Sequence, residues 1–155
     1  MNHSSKIGLS FGTTSGIITT LGLIVGLTAS DASRNIIIGG VLTIAFADAF
    51  SDALGIHISE ELSDNHTKKS VWVSTFTTFA AKLIIALTFL IPISVFSSTI
   101  ALIISIVWGM ALLILLNFFI SAPEKRWRAV TEHLFIGFIV IVVGFVIGQY
   151  IRGLF

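Results

Sequence analysis

The chain has no cysteine, which excludes disulfide frameworks, thiolate metal centres and cysteine nucleophiles. Charge is nearly as scarce: Asp, Glu, Lys and Arg make up 11% of the residues, against roughly 25% in an ordinary soluble domain. At 155 residues a soluble fold would be one domain, with a surface that so few ionisable groups could not cover. The formal net charge of +1 leaves no footprint for nucleic acid. No HExxH helix, nucleophile elbow or phosphate-binding glycine loop is present, so a soluble-substrate enzyme is not expected. What the chain does have is apolar residues, 55% of the total, and a mean hydropathy of +1.01. This composition predicts an all-α integral membrane protein lying in a lipid bilayer.

A helix crosses the apolar core of a bilayer with about 20 residues. Five such stretches are predicted, over approximately 7–29, 36–58, 70–92, 97–120 and 134–151. The second is interrupted by Asp48 and Asp52 and the third by Lys82; the others carry no charge. Taken as a single helix, 70–120 would be about 76 Å long, too long for one crossing, and Pro92 predicts a tight turn between Pro92 and Ser98. The connections Ser30–Asn35, Ser59–Lys69 and Ser121–His133 are too short for a further domain, so residues 1–155 read as one transmembrane domain without internal repeats. The first stretch is long, rich in Gly and Thr, and lacks a small-residue cleavage site, so it reads as a retained span. Lys6, Lys68, Lys69, Lys125, Arg126 and Arg128 fall on one side, and Arg34 and Arg152 on the other. The positive-inside rule then places the N-terminus in the cytosol and the C-terminus outside or in a lumen. Trp72 and Trp127 would lie at the cytosolic interface and Tyr150 at the opposite one.

Gly8, Gly12 and Gly16 recur every fourth residue, followed by Gly22 and Gly26 and, in the last span, Gly144 and Gly148. Such spacing lets helix backbones approach closely, either inside one bundle or along a dimer seam formed by span one. Asp48 and Asp52 are four apart and share a helix face, with Ala45, Gly55 and Ser59 expected beside them. A carboxylate at bilayer depth costs about 2.5–3.5 kcal/mol, so the pair is either neutralised by Lys82 and hydroxyls or serves as a cation or proton site. Lys82 could neutralise one aspartate, or compete with a bound cation and release a proton, or snorkel to an interface. Span one adds Thr13, Thr14, Ser15, Thr19 and Thr20 as a candidate hydroxyl wall, and Asn117 is expected to bond between helices. His57, Glu60, Glu61, Asp64 and His66 gather at the end of span two, where imidazole and carboxylate together suit iron, manganese or zinc. A solvated acidic loop balanced by Lys68 and Lys69 is the alternative. His133, with Glu132, Arg126 and Arg128, reads as an interfacial cap, and His3 as tail.

The segments SGIITTLGLIVGL in span one and FADAFSDALGIHISEE closing span two resemble the vacuolar iron transporter family, as do LTFLIP at Pro92 and APEKRWR before the last span. The resemblance covers nearly the whole chain. It implies a five-helix homodimer that exports ferrous iron, and often manganese, from the cytosol in exchange for protons. Ser15 would stand where the family has an acid in its first helix, with Gly16 matching the glycine that follows. Asp48 would take the place of a methionine and Asp52 that of a glutamate, and Glu61 falls where the family is acidic beyond its second helix. Losing one acid and a soft sulfur while gaining Asp48 favours harder, oxygen-preferring cations. The connection Ser59–Lys69, eleven residues, lacks the long metal-binding segment of plant-type members, and Lys82 replaces a small apolar residue.

The expectation is therefore a homodimeric antiporter of ferrous iron or manganese, in a prokaryotic cell membrane or a vacuolar-type membrane, with no permanently bound cofactor. Asp48, Asp52, Ser15 and Lys82 would form the cation and proton site, and His57 and Glu61 would be further metal ligands. The competing expectations are a non-transporting relative stabilised by an Asp–Lys network and a monovalent cation/proton exchanger.

Overall fold

The structure, a computed structural model, describes residues 3–63 and 67–154; Asp64 and His66 lie outside the described residues. The helices are α1 His3–Ala29, α2 Arg34–Glu61, α3 Lys68–Thr88, α4 Leu90–Val95, α5 Ser98–Ile120 and α6 Arg126–Arg152, with a 3-10 turn at Pro123–Lys125 leading into α6. No strand occurs among the described residues. Because α3 and α4 run on as one rod, five rods are long and apolar enough to cross a membrane, as expected.

The boundaries differ from the expected ones where local chemistry decides them. Pro92 does not make the turn between the third and fourth rods. It sits inside α4, and its missing N–H leaves the Thr88 carbonyl without a helical partner. The helix therefore breaks at Phe89, whose N–H bonds Ala86 O at 3.2 Å. The chain reverses at Phe96–Ser97, inside the expected Pro92–Ser98 range, where Arg34 Nη2 donates to Phe96 O at 2.7 Å. The last helix begins at Arg126, two turns before Leu134, since RWRAVTEH contains no glycine or proline to stop it and Pro123 starts the preceding turn. Most of the Ser121–His133 connection is thus helix.

Helix α1 packs against α2, α3, α5 and α6, and its glycines decide how closely. A Cβ at Gly8 would lie 2.5 Å from Ser74 O, and one at Gly12 2.5 Å from Thr78 O, so α1 and α3 meet backbone to backbone. Further along, a Cβ at Gly144 would lie 3.0 Å from Gly22 O, and one at Gly148 would collide with Gly26 O. The glycine rows are therefore used within the chain, the first of the two readings of their spacing, against α3 and α6. The apolar core forms against other elements: Ile17, Leu21, Ile24 and Val25 of α1 meet Ile37 and Val41 of α2, Phe89 and Ile93, and Leu112 and Leu113 of α5.

Gly12→Ala and Gly148→Ala should each lower stability by about 1–3 kcal/mol, the usual penalty of overpacking. A Cβ at Gly39 meets nothing within 4 Å, so Gly39→Ala should be neutral or slightly stabilising. Thermal melts of the three variants in one detergent check the ordering.

Candidate cation site

Lys82 lies about 21 Å along the α3–α4 rod, near its middle, and is 1% exposed. Gly16 eases its burial: a Cβ there would stand 3.3 Å from both Cα and Cγ of Lys82, so the lysine stem runs closely past α1 beside the space that glycine leaves open. The ammonium then reaches three oxygens. Lys82 Nζ lies 2.6 Å from Asp48 Oδ2 and 2.8 Å from Ser15 Oγ, and pairs directly with Asp52 Oδ2. Ser15 Oγ also donates to Asp52 Oδ2 at 2.7 Å. Three helices thus converge on one nitrogen, and Ser15, Asp48, Asp52 and Lys82 come together as expected, without snorkelling of the lysine.

The formal charges, two carboxylates against one ammonium, leave the cluster one negative charge. The Asp48 and Asp52 side chains keep 30% and 18% of their surface exposed, so the cluster opens on its α2 side. Chemically, this is an oxygen seat for a cation of modest size, currently filled by the protein's own ammonium. Hard cations prefer such carboxylate and hydroxyl donors.

The small polar stripe expected beside the aspartates is split. Ala45 is fully buried, whereas Gly55 and Ser59 face outward, because Val41, Ala45, Ala49 and Ala53 form the inward row of α2. Outward-facing small residues instead recur as Gly39, Thr43, Ala47, Ser51, Gly55 and Ser59.

His57 and Glu61 line a separate cleft of about 470 Å³ with Lys68, Val71 and Trp72. The Thr75 hydroxyl donates to Val71 O at 2.7 Å, which leaves its oxygen to accept from His57 Nδ1 at 2.9 Å. Neutral His57 then carries its lone pair on Nε2, the arrangement a metal ligand adopts. Among the described residues no three His, Cys, Asp or Glu side chains gather as a metal-holding group. Glu60 is buried and Glu61 exposed. Sequence reading missed Thr75, since nothing separates it from Ser74, Thr77 and Thr78 until His57 is seen opposite it.

Other polar residues turn inward on their own helices. Asn117 Nδ2 donates to Leu113 O at 2.8 Å, which replaces the expected bond between helices with an ordinary one-turn bond. Thr13 and Thr19 bond the carbonyls of Leu9 and Ser15 in the same way. Glu132 pairs with Arg128 at 2.7 Å, and His133 Nδ1 bonds Ala129 O at 2.7 Å. No protein-family model matches the chain, and no curated protein matches it in sequence.

Lys82→Met would leave two facing carboxylates without their counter-ion. It should destabilise the fold by about 3 kcal/mol, the low end for a broken buried pair, since both aspartates keep some exposure. Adding Asp52→Asn should restore part of that loss. A double-mutant cycle by chemical or thermal unfolding checks the coupling.

Proposed function

We propose that the chain is a homodimeric, five-span membrane transporter that moves a divalent cation, ferrous iron or manganese, out of the cytosol in exchange for protons. One observation carries this reading: two mid-helix aspartates and a serine converge on a single buried ammonium. Ionisable groups at bilayer depth mark ion and proton pathways. Asp48 and Asp52 bind the cation in turn with protons, Ser15 supplies a neutral oxygen, and Lys82 tunes the charge. His57 and Glu61, in the cleft at the basic end of α2 and α3, supply a first resting place for an arriving cation. The resemblance to vacuolar iron transporters supports the metal class, and the excess of Lys and Arg at the end holding Lys6, Lys68 and Lys125 supports a cytosolic N-terminus.

The dimer is supported by two contrasting faces. The outward side of α2 carries small residues at every fourth position between the partly exposed aspartates and a flanking row of Phe46, Phe50 and Leu54, whereas the exposed face of α6, with Phe135, Phe138, Val142 and Phe145, has no such small-residue row. A second copy against α2 would cover the carboxylates, while α6 suits lipid. The absence of cysteine makes a direct test available. Ala47→Cys should give crosslinked dimers in membranes under mild oxidation, and Val143→Cys on α6 should not, since a disulfide needs Cα atoms within about 7 Å.

A second reading has its own support. Lys82 is fully engaged by Asp48, Asp52 and Ser15, as a closed structural network without transport would be. Proteoliposome proton flux separates the two. Flux on adding ferrous iron or manganese, reduced at least tenfold in Asp52→Asn at unchanged protein level, is the expected outcome. Flux with sodium alone would indicate a monovalent exchanger, and silence with every ion would indicate the structural network.

A further inference from the structure

An open-sided groove of about 720 Å³ runs along the N-terminal half of α1, bounded across from it by Ile120 of α5 and His133 of α6. Its position beside Ser15 suggests a path to the cation site, but its chemistry is wrong for that role. Lys6 stands at its mouth, and no carboxylate is among the described residues that line it. A divalent cation would meet a positive charge there. Most of the exposed surface inside it is apolar, with Ile7, Phe11, Ile18 and Ile120 as its walls and the hydroxyls of Ser10, Thr14 and Thr19 set between them.

We propose that this groove holds one anionic phospholipid, its phosphate at Lys6 and one acyl chain along Ile7, Phe11 and Ile18. The proposal rests on the membrane part of the functional reading and is independent of transport. Charge complementarity selects the headgroup, since basic pockets between membrane helices on the cytosolic side bind anionic lipid heads. Length selects the chain. Lys6 to Ile18 spans about 18 Å of helix, close to one leaflet of a core about 30 Å thick. Lys125, Arg126 and Arg128 lie at the same end of the bundle, so anionic lipid would be enriched around the mouth. With the groove filled, Ser15 would be shielded from this side, and the cluster would communicate only through its α2 side.

Native mass spectrometry of the full chain in neutral detergent tests the proposal, with phosphatidylglycerol, phosphatidylcholine and inorganic phosphate added in turn. One phosphatidylglycerol per chain should be retained in preference to phosphatidylcholine. Lys6→Gln should weaken that preference about fivefold, the effect of one basic residue near a lipid surface, while Lys125→Gln, outside the groove, should leave it nearly unchanged. Lys6 is exposed, so Lys6→Gln should melt like the wild type in lipid-free detergent, which removes misfolding as an explanation. The proposal is overturned by equal loss in both variants, by no preference for the anionic lipid, or by displacement of the lipid with millimolar inorganic phosphate. A Lys6-dependent dimer without lipid would overturn it too, placing a second copy in the groove. Because the readout contains no flux, a failed transport assay would leave this result standing.

Discussion

Helix α1 touches each of the other four rods, and it can do so only because it presents almost no side chain where it meets α3 and α6. That close approach is the constraint from which the rest follows. Backbone contact at Gly8 and Gly12 sets the distance between α1 and α3, and at Gly16 the same lack of a side chain leaves a channel for the stem of Lys82. A side chain at that position would press on the lysine stem and disturb its reach to Asp48 and Asp52. Packing and electrostatics here are one arrangement seen at two positions along a helix.

Glycine packs the two ends of α1 against different partners. Towards Arg34 and Asp31, Gly22 and Gly26 meet Gly144 and Gly148 of α6, while Ile, Leu, Val and Phe side chains of α1, α2, α5 and the Phe89–Ile93 stretch fill the remaining space. Towards Lys6, Gly8 and Gly12 meet α3, and the interface is lined by Ser74 and Thr78, whose hydroxyls bond their own helix. The polar cluster sits between these two glycine contacts, beside Gly16. The openings of opposite chemical character, the cleft with Glu61 and the groove with Lys6, both lie towards the Lys6 end.

The number of rods was legible because each is a long apolar run, and the meeting of Asp48, Asp52 and Lys82 was legible because spacing puts the acids on one helix face and leaves one cation at matching depth. Ser15 was one of five span-one hydroxyls that the sequence alone did not rank; the family resemblance singled it out, and α1 does present it to Asp52. Helix ends were less legible. Nothing in RWRAVTEH is apolar enough to count as span, yet nothing in it stops a helix, so hydropathy ended the segment where backbone chemistry did not. The partners of the small residues were not legible either: Gly12 and Gly39 look alike in the chain, but one touches α3 and the other touches nothing. Asn117 has the same ambiguity, since an amide can satisfy itself on its own helix or across to another, and only the packing decides.

Lys82 has one more consequence. On the proposed reading, an ion from solution would have to contend with a cation that cannot diffuse away, because four methylenes tie it to α3. The local concentration of a tethered group held in place is set by geometry and typically reaches the millimolar range or above. A free ion would therefore bind with an affinity reduced by the fraction of time the lysine is elsewhere. Such a seat would answer to how much of the ion is present, so the buried lysine would set a threshold.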